Sequence, residues 1–265
     1  MPGRFTILFA AGLLLLAACN GKAPDVAIAD GAPAFSTAAP ATAPAPVTPA
    51  EIAQFEQRFA GQKLWPVLKQ HFPEDYHEMV STSIGLAKAG ASVTEMQLAS
   101  AKAQQALRAK YVDQGAQASD TTLTKLLTAA LQVQMHVKEA KGEAACDAYA
   151  SQGLLGLDDI GFLQAEMDDF AVLMFQTMAE GRDHPATVAP PTDADLDQVL
   201  KDVVAHGVSE AAIASLQNPD KPPPQGTACA FATQFLRSVI SLPDDAGHRV
   251  RADMARTVLL GGFYR

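Results

Sequence analysis

Apolar positions recur at helical spacing along most of the chain after residue 48. Leu196, Val199, Leu200, Val203 and Val204 fall at i, i+3, i+4, i+7 and i+8, which is one face of a helix. Thr192 with Asp195 caps the start of that helix and Gly207 ends it. Leu123, Leu127, Ala130, Leu131 and Val137 form a second stripe, followed by Gly142. Met96, Ala99, Ala103, Ala106 and Leu107 form a third, capped by Ser92 with Glu95, and its small residues predict close approach of a neighbouring helix. Cys229, Ala232, Phe235, Leu236, Val239 and Ile240 make a fourth that stops before Pro243. Shorter helices are predicted at 51–60, 62–71, 73–89, 143–151 and 209–217, with a last one at 244–260. Thr48-Pro49-Ala50-Glu51 is a capping box with proline at the first helical position, so order begins there.

The segment 157–180 differs. Its second half, residues 170–178, is apolar nearly all round, as a central bundle helix is. Asp168 and Asp169 interrupt it and it is too short to span a bilayer. It is predicted to be the core helix. Breakers place loops at 181–192 and 218–226. Strand signatures and tight hairpin turns are nearly absent. The expected class is all-α, a multi-helix bundle or helical array of roughly 8–10 helices with one disulfide.

With 48% hydrophobic residues the chain is too apolar to be disordered throughout. Its net charge is −9; Arg4 and Lys22 balance Asp25 and Asp30, so that charge sits from residue 51 onward. An acidic domain argues against nucleic acid, whose phosphates need a surplus of Lys and Arg.

Residues 1–18 carry one charge, Arg4, ahead of an apolar run that ends in small residues. That is the build of a secretory signal, and the run is too short for a membrane-spanning helix. It closes on Leu16-Ala17-Ala18-Cys19, which resembles the lipobox of bacterial lipoproteins. The resemblance covers only residues 1–20. It implies a diacylglyceryl group on the Cys19 thiol, cleavage between Ala18 and Cys19, and acylation of the new amine, as with palmitate. One acyl chain binds a membrane marginally, whereas two or more hold it. In enterobacterial lipoproteins an Asp after the cysteine favours inner-membrane retention. Asn20 stands there, which implies the outer membrane, with the domain facing the periplasm.

Residues 19–50 are then a lipidated cysteine and a tether rich in Ala, Pro, Gly, Ser and Thr, too poor in apolar surface to offset its entropy. Its proline-rich half, 39–50, favours polyproline II, so the tether reaches roughly 100 Å when extended at about 3.1 Å per residue. Residues 51–265 form the helical periplasmic domain.

Cys146 and Cys229 are the two cysteines left in that domain. In an oxidising periplasm an even pair reads as a structural disulfide. No CxxC arrangement points to redox work, and Cys229 lies on an apolar stripe. The bridge would join the 143–151 helix to the 228–241 helix.

Three clusters carry residue types that do chemistry. His71, Asp75 and His77, with Glu74 and Glu78, offer zinc's ligand types, but Pro73 restarts a helix between the two imidazoles. The acids then serve the helix dipole. Met167, Met174 and Met178, with Met135 beside His136, offer soft ligands for Cu(I), but Phe170, Leu173 and Phe175 among them mark a core. Asp158, Asp159, Glu166, Asp168 and Asp169 concentrate carboxylates that a glycan hydrolase could pair; as surface acids they line a solvated edge. Trp65-Pro66 reads as a bend between two helices, its aromatic in the core. GxSxG, Ser-x-x-Lys, Walker and dinucleotide-binding signatures are missing. No catalytic, cofactor or metal residue is therefore assigned.

The expectation is a membrane-anchored periplasmic lipoprotein whose domain binds another envelope or periplasmic protein without catalysis. A sharper form is an immunity-type inhibitor of a periplasmic toxin or wall hydrolase, since an acidic surface suits a basic enzyme. The rivals are an enzyme on peptidoglycan and a metal handler using Met and His.

Overall fold

The computed structural model describes residues 46–216, 218 and 223–261. The leader, Cys19 and the tether up to residue 45 lie outside them. Among the described residues there are ten α-helices, two short 3-10 turns and no strand. The all-α bundle with one disulfide is therefore the architecture.

Local capping sets several helix starts. The Thr48–Glu51 box opens α1 (Pro49–Arg58) and Ser92–Glu95 opens α4 (Val93–Gly115). Thr192–Asp195 opens α7 (Asp193–Ala205). Between α1 and α4 lie α2 (Leu64–His71) and α3 (Pro73–Lys88). Pro66 falls in the first turn of α2, where a missing N–H is harmless, so Trp65-Pro66 starts a helix rather than bending between two. Helix α5 (Asp120–Gln152) changes course at Gly142, whose φ of 85° suits glycine alone. Residues 143–151 are thus a separate segment beyond that kink.

The core helix is α6 (Gln164–Asp183), and its limits differ from the expected 157–180. Asp159 Oδ1 accepts the Gly161 N–H at 2.8 Å, a local turn that competes with helix, and residues Gly161–Leu163 form a 3-10 turn. At the other end Gly181 continues the helix instead of breaking it. A Cβ there would sit 1.8 Å from the Gln114 carbonyl oxygen, so this glycine lets the backbones of α6 and α4 touch. Phe170, Met174, Phe175 and Met178 of α6 are buried.

Beyond α6 come α7, α8 (Glu210–Leu216), α9 (Thr227–Ser241) and α10 (Asp244–Leu259). Helix α5 packs against α9, α10 and α6, while α4 packs against α6, α3 and α10. Helices α1 to α3 cover one side through α6 and α4, and α7 and α8 lie on α9. Every buried apolar residue among those described lies between Leu68 and Leu259.

The packing face of α4 overlaps the expected stripe at Leu107 but is rotated from its small residues. Gln104, Leu107, Arg108 and Gly115 are buried; Met96, Ala99 and Ala103 are half-buried and Ala106 is exposed. Arg108 is 1% exposed, and its Nε and Nη1 have no hydrogen-bond partner among the described residues. Burial pulls its pKa from 12.5 down to about 10. The folded state thus disfavours this charge at every pH below about 10, and the penalty eases only as pH climbs from there toward 12.5. Arg108→Met, which keeps an unbranched stem and drops the charge, is expected to raise stability by about 1–3 kcal/mol at pH 7. A urea titration of both proteins checks this; an unchanged or lower midpoint would contradict it.

Candidate functional site

The first candidate is an aromatic cleft of about 190 Å³ where α1, α2 and α3 meet. Helix α1 presents Ile52, Phe55, Glu56 and Phe59 on one face, by the i, i+3, i+4, i+7 rule. Trp65 and Pro66 come from the first turn of α2, and Tyr76 from α3. The rings meet edge to face: Phe55 and Trp65 at 5.2 Å and 86°, Trp65 and Tyr76 at 6.0 Å and 72°. Phe59 closes the end, 4.5 Å from Phe55 and 6.3 Å from Trp65. Trp65 is half-buried: it packs against the main core, as expected of its aromatic, and also walls the cleft.

The polar rim of the cleft is closed on itself. Glu56 Oε1 accepts from Lys69 Nζ at 2.7 Å and from the Tyr76 hydroxyl at 3.0 Å. The Lys69 hydrogen bond holds the Glu56 carboxyl below its ordinary range. Burial, then the bond to Glu56, pushes the Tyr76 phenol up to about 12. Trp65 Nε1 donates to Gln62 Oε1 at 2.7 Å, and Gln62 is exposed. What the cleft offers is therefore ring faces, with one indole N–H at its edge.

The second candidate surrounds the disulfide. Cys146, in the second segment of α5, bonds to Cys229 in α9, and both are buried. Beside it Asp147 accepts the backbone N–H groups of Gly226 and of Cys229, the latter at 2.8 Å. Gly226 has no side chain to cap α9, so Asp147 does it from another helix. A 440 Å³ cleft nearby is lined by Lys141, Ala144, Ala148, Gly156, Asp158 and Asp159. Asp159 is held ionised there, first by the Gly161 N–H and then by Lys141 at 3.3 Å. A general acid needs the opposite shift.

The residues singled out in the sequence are dispersed into other duties. His71 ends α2, where its carbonyl accepts from Arg182 Nη1 at 2.7 Å. Asp75 accepts from Lys110 at 2.7 Å and Tyr111 at 2.9 Å, and His77 Nδ1 meets Ser81 Oγ at 3.3 Å. Among the described residues no three His, Cys, Asp or Glu side chains gather as a metal site. Met174 and Met178 are buried and Met167 is half-buried, packed on the same core. Met135, on α5, takes a 3.4 Å contact from Arg237 Nη2. Glu166 pairs with His136 at 2.8 Å, Asp169 with Lys63 at 2.5 Å, and Asp168 accepts from Gln164 at 2.9 Å.

Sequence reasoning missed the convergence of Phe55, Phe59 and Tyr76 on Trp65. A signal existed, since Phe55 and Phe59 stand one turn apart, ten and six residues before Trp65. Asp147 gave none. No protein family, curated protein or solved structure matches this chain. No helix among the described residues is long and apolar enough to cross a membrane.

Proposed function

We propose that this is a lipid-anchored envelope protein whose helical domain faces the periplasm and works by binding another protein. The observation that carries the reading is Leu16-Ala17-Ala18-Cys19 at the junction of an apolar leader and an Ala/Pro-rich tether. The buried Cys146–Cys229 bridge supports an oxidising compartment, where such bonds persist. The domain's charge favours a basic partner, and in its sharper form the protein is an immunity-type inhibitor of a toxin or wall-degrading enzyme. The carboxylates whose acidity the fold shifts are held ionised by local partners, as in a scaffold rather than an acid–base pair.

Lipidation is tested by metabolic labelling with palmitate. The wild-type chain is expected to take the label and sediment with membranes. Cys19→Ser is expected to lose the label, keep its leader and leave the mature size class. A Cys19→Ser chain that is processed and sediments as before would overturn the anchor. Partner binding is tested by cross-linking the domain in envelope extract and identifying the bound protein by mass.

A further inference from the structure

The aromatic cleft is lined in part by α1, the helix that the tether runs into along the sequence. We propose that the cleft is a receptor for the chain's own proline-rich segment, residues 38–46, bound as a polyproline II strand across Trp65, Phe55 and Phe59.

Four observations converge on this occupant. The first is chemistry. Glu56, Lys69 and Tyr76 satisfy one another, so the cleft selects an uncharged ring-shaped group over an ion. Proline-rich strands are recognised by aromatic grooves of this kind, because their extended form is already set before binding. The second is size. A volume of 190 Å³ takes a proline and its neighbour, not a folded element.

The third is direction. Val47 precedes the Thr48 cap and is half-buried, and Ile52 stands at the fourth helical position. These are the positions of a hydrophobic staple, which fixes the angle at which a chain enters a helix. Ile52 shares its face of α1 with Phe55 and Phe59, so the chain enters on the cleft side. The Lys88–Glu51 ion pair at 2.8 Å holds α1 to α3 and keeps that face in place.

The fourth is reach. Phe55 and Phe59 lie about 10–16 Å along α1 from Thr48 at 1.5 Å per residue. A polyproline II strand running back covers that span in about four to six residues at 3.1 Å each. With about two or three residues for the turn, the stretch around Pro40 arrives at the rings, and Pro44 and Pro46 keep the strand leading to it extended. The exposed Gln62 can release the Trp65 N–H to a carbonyl of the docked strand.

Docking itself does not depend on the lipid. Its consequence rests on the anchor reading: a docked tether is shorter, so the domain stands closer to the membrane, and a partner that takes the cleft would let it out.

Trp65 is the only tryptophan, so its fluorescence reports the cleft directly. The test uses residues 19–265 carrying Cys19→Ser, free of lipid, so a failed anchor and a failed docking give different results. Replacing Pro40, Pro44 and Pro46 together by glycine is expected to raise acrylamide quenching of Trp65 by about twofold, as the ring loses its cover. The far-UV spectrum and melting midpoint should stay put. A synthetic peptide of residues 38–47, added to that variant at about millimolar concentration, the effective concentration of a short tether, should restore protection. Phe59→Ala, added to the triple variant, should abolish the protection that the peptide restores. Equal quenching in parent and triple variant would overturn the proposal. So would undiminished protection by the peptide when Phe59 is replaced by alanine. Protection that vanishes on dilution would also overturn it, by assigning the bound strand to a second copy.

Discussion

Arg251→Met is expected to lower unfolding free energy by about 3–5 kcal/mol, although it exchanges one side chain on a helix that stays intact. Arg251 is 4% exposed and all three nitrogens of its guanidinium head make hydrogen bonds. Nε and Nη2 fork onto Asp120 Oδ1 and Oδ2 at 2.7 and 2.8 Å. Nη1 donates to the carbonyls of Leu242 at 2.8 Å, Val239 at 3.0 Å and Ile240 at 3.3 Å. The last residues of a helix have carbonyls without helical partners, and here one side chain serves the end of α9. Asp120 is the first residue of α5, so the same group ties three helices. Gly247 makes room for it: a Cβ there would fall 1.9 Å from the Leu242 oxygen and 2.7 Å from Arg251 Nη2.

Removing the fork strands those carbonyls in a dry place, and that sets the size of the loss. Arg251→Lys is expected to recover less than half, because an ammonium cannot reproduce the planar fork. Asp120→Asn should be milder, since Asp120 is 44% exposed and water can serve its neighbourhood. Urea titrations of the three variants measure this order. A loss below about 1 kcal/mol for Arg251→Met would show that water replaces the guanidinium. Arg108→Met carries the opposite expected sign: both arginines are desolvated, but among the described residues only Arg251 has a carboxylate and carbonyls to offset that cost.

That contrast also marks what the sequence could not convey. Both arginines sit in helical stretches with similar neighbours, and nothing in their spacing says which finds a carboxylate. The helix starts that were legible are those capped locally: Thr48 with Glu51, Ser92 with Glu95, Thr192 with Asp195. The start of α9 was not legible as a cap, because its partner Asp147 lies 79 residues away from Gly226. Glycines were read as breakers. Gly142 and Gly207 are so, with positive φ, but Gly181 and Gly115 are contact glycines, and only the approach of a second helix distinguishes the two uses. The face of α4 was legible in part: Leu107 of the expected stripe is buried and Ala103 packs on the core, but alanines do not reveal that Gln104 and Arg108 are the other buried positions. Of the candidate cleft, Trp65-Pro66 was visible and its surroundings were not, since Tyr76 reaches it from another helix. The Cys146–Cys229 pairing was legible because two thiols in one domain admit one bridge.

Removing that bridge in a Cys146→Ala/Cys229→Ala double variant is expected to cost about 4–5 kcal/mol. The two cysteines are 83 residues apart, so the bridge closes a long loop in the unfolded chain. Alanine is the right replacement, because serine would bury two hydroxyls in a site that is 0–1% exposed. The same burial predicts slow reduction: a thiol reagent should leave the native protein bridged and act once urea opens the fold. The effect also extends beyond chain entropy. Cys146 adjoins Asp147, so the covalent bond holds the carboxylate over the first turn of α9. Asp147→Ala is expected to lose about 1–2 kcal/mol in the bridged protein, as a lost cap does. In the bridgeless variant its loss should be smaller, since the cap is no longer held in register. A double-mutant cycle measures this coupling, and melting in oxidised and reduced buffers measures the bridge. Equal losses from Asp147→Ala with and without the disulfide would show that the cap stands alone and that the bridge acts through the unfolded chain only.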